Sequence, residues 1–150
     1  MASPIKSYRD LQVWQLAMNL AQLCYEHTGH FPARETYGLA SQIRRAAVSV
    51  PSNIAEGHGR RTLQAYLNHL SIALGSQSEL ETQIELSRRL ELLAERPAEN
   101  ILQMAGRVGR MLHRLSQSLE QKGGASLQHL SASTKHLAPS TEHLAASPRS

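Results

Sequence analysis

From residue 7 to about residue 121 the apolar residues return every three or four positions, the spacing of helices that bury one side. The first such pattern runs from Ser7 to about Thr28, with Ser7 and Asp10 placed as a cap pair and Gly29 then Pro32 as stop signals. It carries two stripes: Val13, Leu16, Leu20 and Leu23 on one face, and Leu11, Trp14, Met18, Ala21 and Tyr25 on the next. One partner layer needs one stripe. Two stripes predict a helix buried against its own bundle and also against another protomer.

The second pattern, about Thr36 to Gly57, contains Pro51. Leu39, Ile43, Ala46, Ala47, Val50 and Ile54 keep helical phase through the proline, which predicts a kinked helix and not a break. Proline removes the hydrogen bond to the Ala47 carbonyl and presses its ring on that turn. Ser49, Ser52 and Asn53 stand ready to satisfy what the bend exposes. The competing reading ends the helix at Val50 and starts a short one capped by Asn53 with Glu56.

Gly57 and Gly59 close that helix, and Thr62 caps a third that runs to about Leu93. Its apolar side is Leu63, Leu67, Leu70, Leu74, Leu80, Ile84 and Leu90, with Gln77 intruding and Gly75 permitting close backbone approach. A fourth helix starts at Arg96 and Pro97 and packs through Ile101, Ala105, Val108, Leu112, Leu115 and Leu119 to about Glu120. The whole reads as an all-α, antiparallel four-helix bundle over residues 1–121. From Lys122 the character changes to a seven-residue repeat beginning at His129, His136 and His143. One leucine per heptad and an internal Pro139 cannot form a coiled-coil seam, so 122–150 reads as a disordered low-complexity tail.

Composition agrees with helices: aromatics are 4% of residues. The formal charge is +4, with thirteen arginines against three lysines, which suits a polyanionic partner because guanidinium pairs bidentately with phosphate. Arginine-rich codon usage accounts for the composition equally well. The single cysteine, Cys24, excludes an internal disulfide and reads as a small core residue. No apolar run is long enough to span a membrane and the start lacks a signal-peptide core, so a cytoplasmic protein is expected.

Ready-made catalytic signatures are missing: there is no Glu-x-x-His pair for a di-iron site, no HExxH, no phosphate-binding loop and no GxSxG. His27, His30, His58, His69 and His113 are scattered. We expect no enzyme activity, no metal and no cofactor. The positive signal lies on the fourth helix, where Asn100, Gln103, Arg107, Arg110, Arg114, Gln117 and Gln121 share the face opposite the apolar seam. Either this is a phosphate-contacting stripe or it is an ordinary solvated side. Arg60 and Arg61, beside a glycine-rich turn, are further phosphate candidates. Arg44 and Arg45 are placed to pair with Glu79, Glu81 or Glu85 of the third helix, inside the bundle or across a subunit boundary. Gly106 and Gly109 read as sites of close helix contact.

Three blocks carry a resemblance: DLQVWQLA from Asp10, YGLASQIRRAAVSVPSNIAEGHGR from Tyr37, and IALGSQSELETQ from Ile72. Over about Tyr8 to Leu119 the chain resembles the four-helix-bundle proteins encoded within intervening sequences of large-subunit ribosomal RNA. That family also includes the accessory variability determinants of diversity-generating retroelements. The resemblance implies a cytoplasmic bundle assembled as a homopentameric ring, with Trp14, Met18, Arg44, Arg45 and Pro51 as interface residues. It also implies RNA, and DNA as a related polyanion, as a partner, together with a reverse transcriptase copying a template RNA. The alternative is a scaffold or protein-interaction bundle without a polymerase.

Overall fold

The computed structural model describes residues 3–135. A 3-10 turn at Tyr8–Asp10 leads into α1 (Gln12–Thr28), a second at Ala33–Glu35 precedes α2 (Leu39–His58), and α3 (Leu63–Arg89) and α4 (Glu95–Lys135) follow. Each helix packs on its neighbours in sequence and α4 returns to α1, while α2 and α4 do not touch. Short links between consecutive neighbours make this an antiparallel four-helix bundle. Its centre is filled by Leu20, Ile43, Ile54, Leu70, Leu80, Ile84, Ile101 and Leu112, all fully buried.

The Ser7–Asp10 capping box forms, and it caps the 3-10 turn instead of α1, which begins after an extended Leu11. Backbone N–H groups of Lys6 and then Ser7 donate to the Asp10 carboxylate and hold its pKa below the usual value. Thr62 caps α3 by accepting from the Ala65 N–H. The second helix runs unbroken through a buried Pro51, so the reading that ended it at Val50 is set aside. Asn53 Nδ2 donates to the Ser49 carbonyl and to Ser49 Oγ, bonds that lie beside Pro51 but do not reach the Ala47 carbonyl that the proline leaves unpaired. Ser49 Oγ in turn bonds Ser76 Oγ on α3 at 2.8 Å, tying α2 to α3.

Two elements differ from expectation. Gly75 faces open space and allows no close approach, whereas Gly57 does: a Cβ there would lie 2.8 Å from His69 Cβ and 2.9 Å from Tyr66 Cδ2. Gly109 behaves as expected, with the Gln77 amide against it. The second difference is the end of α4, which continues past Glu120 to Lys135 where a disordered tail was expected from Lys122. Elongating an existing helix adds a hydrogen bond for each residue fixed, and Ala125, Leu127 and Gln128 are good helix formers, so Gly123 and Gly124 do not stop it. Gly123 also fits under Leu63, where a Cβ would collide with that side chain. Since α3 begins at Leu63, the twelve residues 124–135 run about 18 Å beyond its start. Residues 136–150, with most of the heptad repeat, lie outside the described residues.

The glycines yield predictions of opposite sign. Alanine is the better helix former by about 1 kcal/mol, so Gly75→Ala, in open space, should stabilise by about that amount. At Gly57 the overlap with Tyr66 and His69 forces α2 from α3 and outweighs the gain, giving a net loss of about 1–2 kcal/mol. Urea unfolding of the two variants measures both. A like sign for the two would contradict the packing at Gly57. Cys24 is fully buried, and desolvation pushes its thiol up to about 12. Iodoacetamide at neutral pH should therefore label it only in denaturant. Rapid labelling of the native protein would place Cys24 outside the core.

Candidate nucleic-acid interface

The surface of α4 is set by its packing. Ile101, Ala105, Val108 and Leu112 are buried, and Gln77 of α3 reaches across to donate to the Ala105 carbonyl at 3.0 Å. That fixes the helix rotation and turns the opposite side outward. Asn100, Gln103, Arg107, Arg110, Arg114, Gln117 and Gln121 are all exposed. Among the described residues, none of the three arginines forms a salt bridge. Ordinary solvated helices place carboxylates three or four residues from such cations. Here α4 has no Asp or Glu between Glu99 and Glu120.

One residue of this face escaped the sequence reading. Arg96 is exposed, lies four residues before Asn100 and so continues the three-and-four spacing. It was read only as the start of the helix, but α4 begins at Glu95, which places Arg96 within its first turn. The stripe from Arg96 to Arg114 is about 27 Å long.

Arg60 and Arg61 occupy the turn before α3 and are exposed. The Gly123–Leu63 contact places that turn at the end toward which the stripe runs, beyond Gln121. Arg61 forms no salt bridge among the described residues. Arg60 Nε donates to His69 Nε2 at 3.2 Å, which leaves the His69 proton on Nδ1, facing Asn53 Oδ1 at 3.1 Å with Glu56 3.6 Å away. The two arginines therefore differ: one is tethered to α3 and the other is not.

Arg44 has a different task from the one expected. Its Nε donates to Thr28 Oγ1 at 2.9 Å, Nη2 approaches the Tyr25 carbonyl at 3.5 Å, and the guanidinium covers the Tyr25 ring at 4.5 Å. A cation here satisfies carbonyls at the C-terminal end of α1 and the negative end of its dipole. The expected carboxylates are engaged within α3 instead. Glu79 accepts from Gln83, Glu81 from Gln77, and Glu85 from both Arg88 and Arg89. Hydrogen bonds from Arg88 and then Arg89 hold the Glu85 carboxyl below its ordinary pKa. Arg45 is exposed on a polar recess of about 450 Å³ with Gln42, Ser49, Ser76 and Glu79, and forms no salt bridge among the described residues.

Trp14, Met18 and Pro51 do come together. With Tyr8, Ala21, Val48, Ser52 and Ala55 they line a groove of about 300 Å³ between α1 and α2. Tyr8 meets Trp14 edge-on at 5.2 Å, and Arg9 stacks over both rings. Met18, Val48 and Tyr25 remain exposed beside it. Of the outer stripe of α1, Met18 and Tyr25 are exposed and Trp14 is half-buried, while Leu11 and Ala21 are buried within the chain's own core.

Residues 9–114 match the model of the 23S rRNA-intervening sequence protein family. The chain belongs to this family. A crystal structure of a protein of unknown function from the S23 ribosomal protein family of Bacteroides thetaiotaomicron shares its fold. It is 22% identical, with a TM-score of 0.64 over 69% of this chain and 97% of its own. No curated protein matches the sequence. The family match of this 23S rRNA-intervening sequence protein takes in Arg60, Arg61 and the whole basic part of the stripe, and ends at Arg114. Among the described residues no helix is long and apolar enough to cross a membrane, and no three His, Cys, Asp or Glu side chains cluster as metal ligands.

Proposed function

We propose that this 23S rRNA-intervening sequence protein is a cytoplasmic, non-enzymatic RNA-binding accessory protein that holds phosphates along α4. The supporting observation is the run from Asn100 to Leu119, which carries three exposed arginines, no carboxylate and no ion pair among the described residues. By contrast, Arg44 and Arg88 are engaged within the chain, by Thr28 and Tyr25 and by Glu85 and Glu95. Such a face costs helix stability through repulsion between like charges a turn apart, and a polyanion relieves that repulsion.

In this reading copies assemble into a homopentameric ring through the groove of Trp14, Met18 and Pro51. Several stripes then face one RNA, and a reverse transcriptase copying that RNA is the protein partner. Arg60 and Arg61 extend the basic surface at the end beyond Gln121, and DNA is a weaker ligand of the same surface. The exposed Ile72 and Leu86 on α3, with Leu90 at its C-cap, favour a second reading, a protein-interaction scaffold without a polymerase.

Titrating a labelled structured RNA at about 50 and about 200 mM salt tests the proposal. With six to ten phosphates engaged across the ring, affinity should fall by about 10³–10⁵ between the two. No binding at the lower salt would leave the scaffold reading.

A further inference from the structure

Resting on that RNA-binding reading, we propose that the ligand is double-stranded RNA, with α4 lying across its minor groove. Three observations lead there. The first concerns stacking. Proteins that hold single strands supply aromatic rings on which unpaired bases stack. Across its whole described length α4 has no Phe, Tyr or Trp, and its exposed His113 offers only a small imidazole at the edge of the stripe. The rings elsewhere are engaged: Tyr8 with Trp14, Tyr25 under Arg44, Tyr66 edge-on to His58, and Phe31 against the core. Tyr37 is 96% exposed, but it precedes α2, the helix that does not touch α4.

The second observation is shape. A helix with its side chains is about 10–12 Å across and must project to enter the roughly 12 Å major groove of B-form DNA. Over the stripe, α4 is held by α1 on one side and α3 on the other. Flanked in this way, its face meets a broad, shallow surface more readily than it enters a deep groove about 12 Å wide. The A-form minor groove is wide and shallow, so a helix face reaches the sugars and the phosphates on both its edges.

The third is chemistry. Arg107, Arg110 and Arg114 follow one another at about 4.5 and about 6 Å along the helix axis, with Arg96 about 17 Å before them. Asn100, Gln103, Gln117 and Gln121 alternate with or flank these cations, all exposed. An amide both donates and accepts, as a 2′-hydroxyl does, so it can satisfy that group in either role. Guanidiniums on phosphates and amides on 2′-hydroxyls match the two functional groups that the shallow groove offers.

The test is competition on the full-length protein at about 0.1 M salt, with three unlabelled competitors of one sequence: a 24-base-pair RNA duplex, either of its strands, and the DNA duplex. The RNA duplex should displace a labelled RNA duplex at least about fivefold better, per nucleotide, than single strand or DNA, a factor set by one hydrogen bond's worth of preference. Asn100→Leu with Gln103→Leu should shrink the RNA-over-DNA ratio while leaving the salt slope unchanged. Equal or better competition by the single strand overturns this inference and leaves RNA binding standing. Equal competition by duplex DNA overturns the 2′-hydroxyl assignment and with it the minor-groove placement. If none of the three binds, RNA binding itself fails and this inference falls with it.

Discussion

Replacing Arg107, Arg110 and Arg114 together with Gln should weaken RNA binding by about 10²–10³-fold at 0.1 M salt for each protomer whose stripe is fully engaged. Each phosphate neutralised contributes a slope of about 0.9 in log K against log salt, or about eightfold at 0.1 M relative to 1 M. Three such contacts multiply to about 500-fold, and the slope should fall in magnitude by about 1 per engaged side chain. Stability should rise slightly, by under about 1 kcal/mol from relieved like-charge repulsion, because all three side chains are exposed, make no salt bridge among the described residues, and glutamine keeps helix propensity. Fluorescence anisotropy at four salt concentrations measures the slope. A variant that binds with the wild-type slope would show that the stripe is solvated surface only.

The second large effect concerns assembly. Met18→Asp places a carboxylate on the rim of the groove formed with Trp14 and Pro51, in every copy at once. A charge forced into an apolar contact must be desolvated without a partner, which an interface of this kind does not tolerate. Light scattering should therefore report a smaller species, with helicity intact because Met18 is 44% exposed within the chain. Trp14→Ala is the less clean variant, since Trp14 also packs on Tyr8 and its loss lowers stability as well. Full assembly of the Met18→Asp protein would move the interface elsewhere, the exposed α3 side chains Ile72 and Leu86, with Leu90 at its C-cap, being the next surface to test.

The parts legible in the sequence were those set by local periodicity. Helical phase across Pro51 foretold an unbroken α2, and Thr62 caps α3 as its position suggested, while Ser7 and Asp10 pair as a capping box on the 3-10 turn that precedes α1. The α4 stripe was legible for the same reason: a face opposite a regular apolar seam must point outward. What failed depended on distant side chains. Arg44 finds the end of α1, sixteen residues away at Thr28, instead of the α3 carboxylates, because those acids are already bonded within their own helix. No spacing rule separates a glycine that a neighbouring helix needs from one that it ignores, which is why the close approach expected at Gly75 is found at Gly57, whose position suggested only the end of α2. The end of α4 differs because the low-complexity repeat suggested a tail from Lys122, whereas helix elongation and the contact between Gly123 and Leu63, which only the bundle supplies, carry the helix to Lys135. Arg96 was missed because a helix start was taken to mark the boundary of the stripe.

Arginine footprinting tests at residue level whether the outward face of α4 meets the RNA. Phenylglyoxal modifies exposed guanidiniums, and a poly(A)·poly(U) duplex contains no guanine to compete for the reagent. Peptide mass spectrometry would then compare modification with and without the duplex. Arg107, Arg110 and Arg114 should be protected when RNA is bound, with Arg96 protected alongside them. Arg34, exposed in the turn before α2, should react equally in both samples and serves as the internal control. Bound RNA that leaves Arg107, Arg110 and Arg114 as reactive as Arg34 would contradict the account.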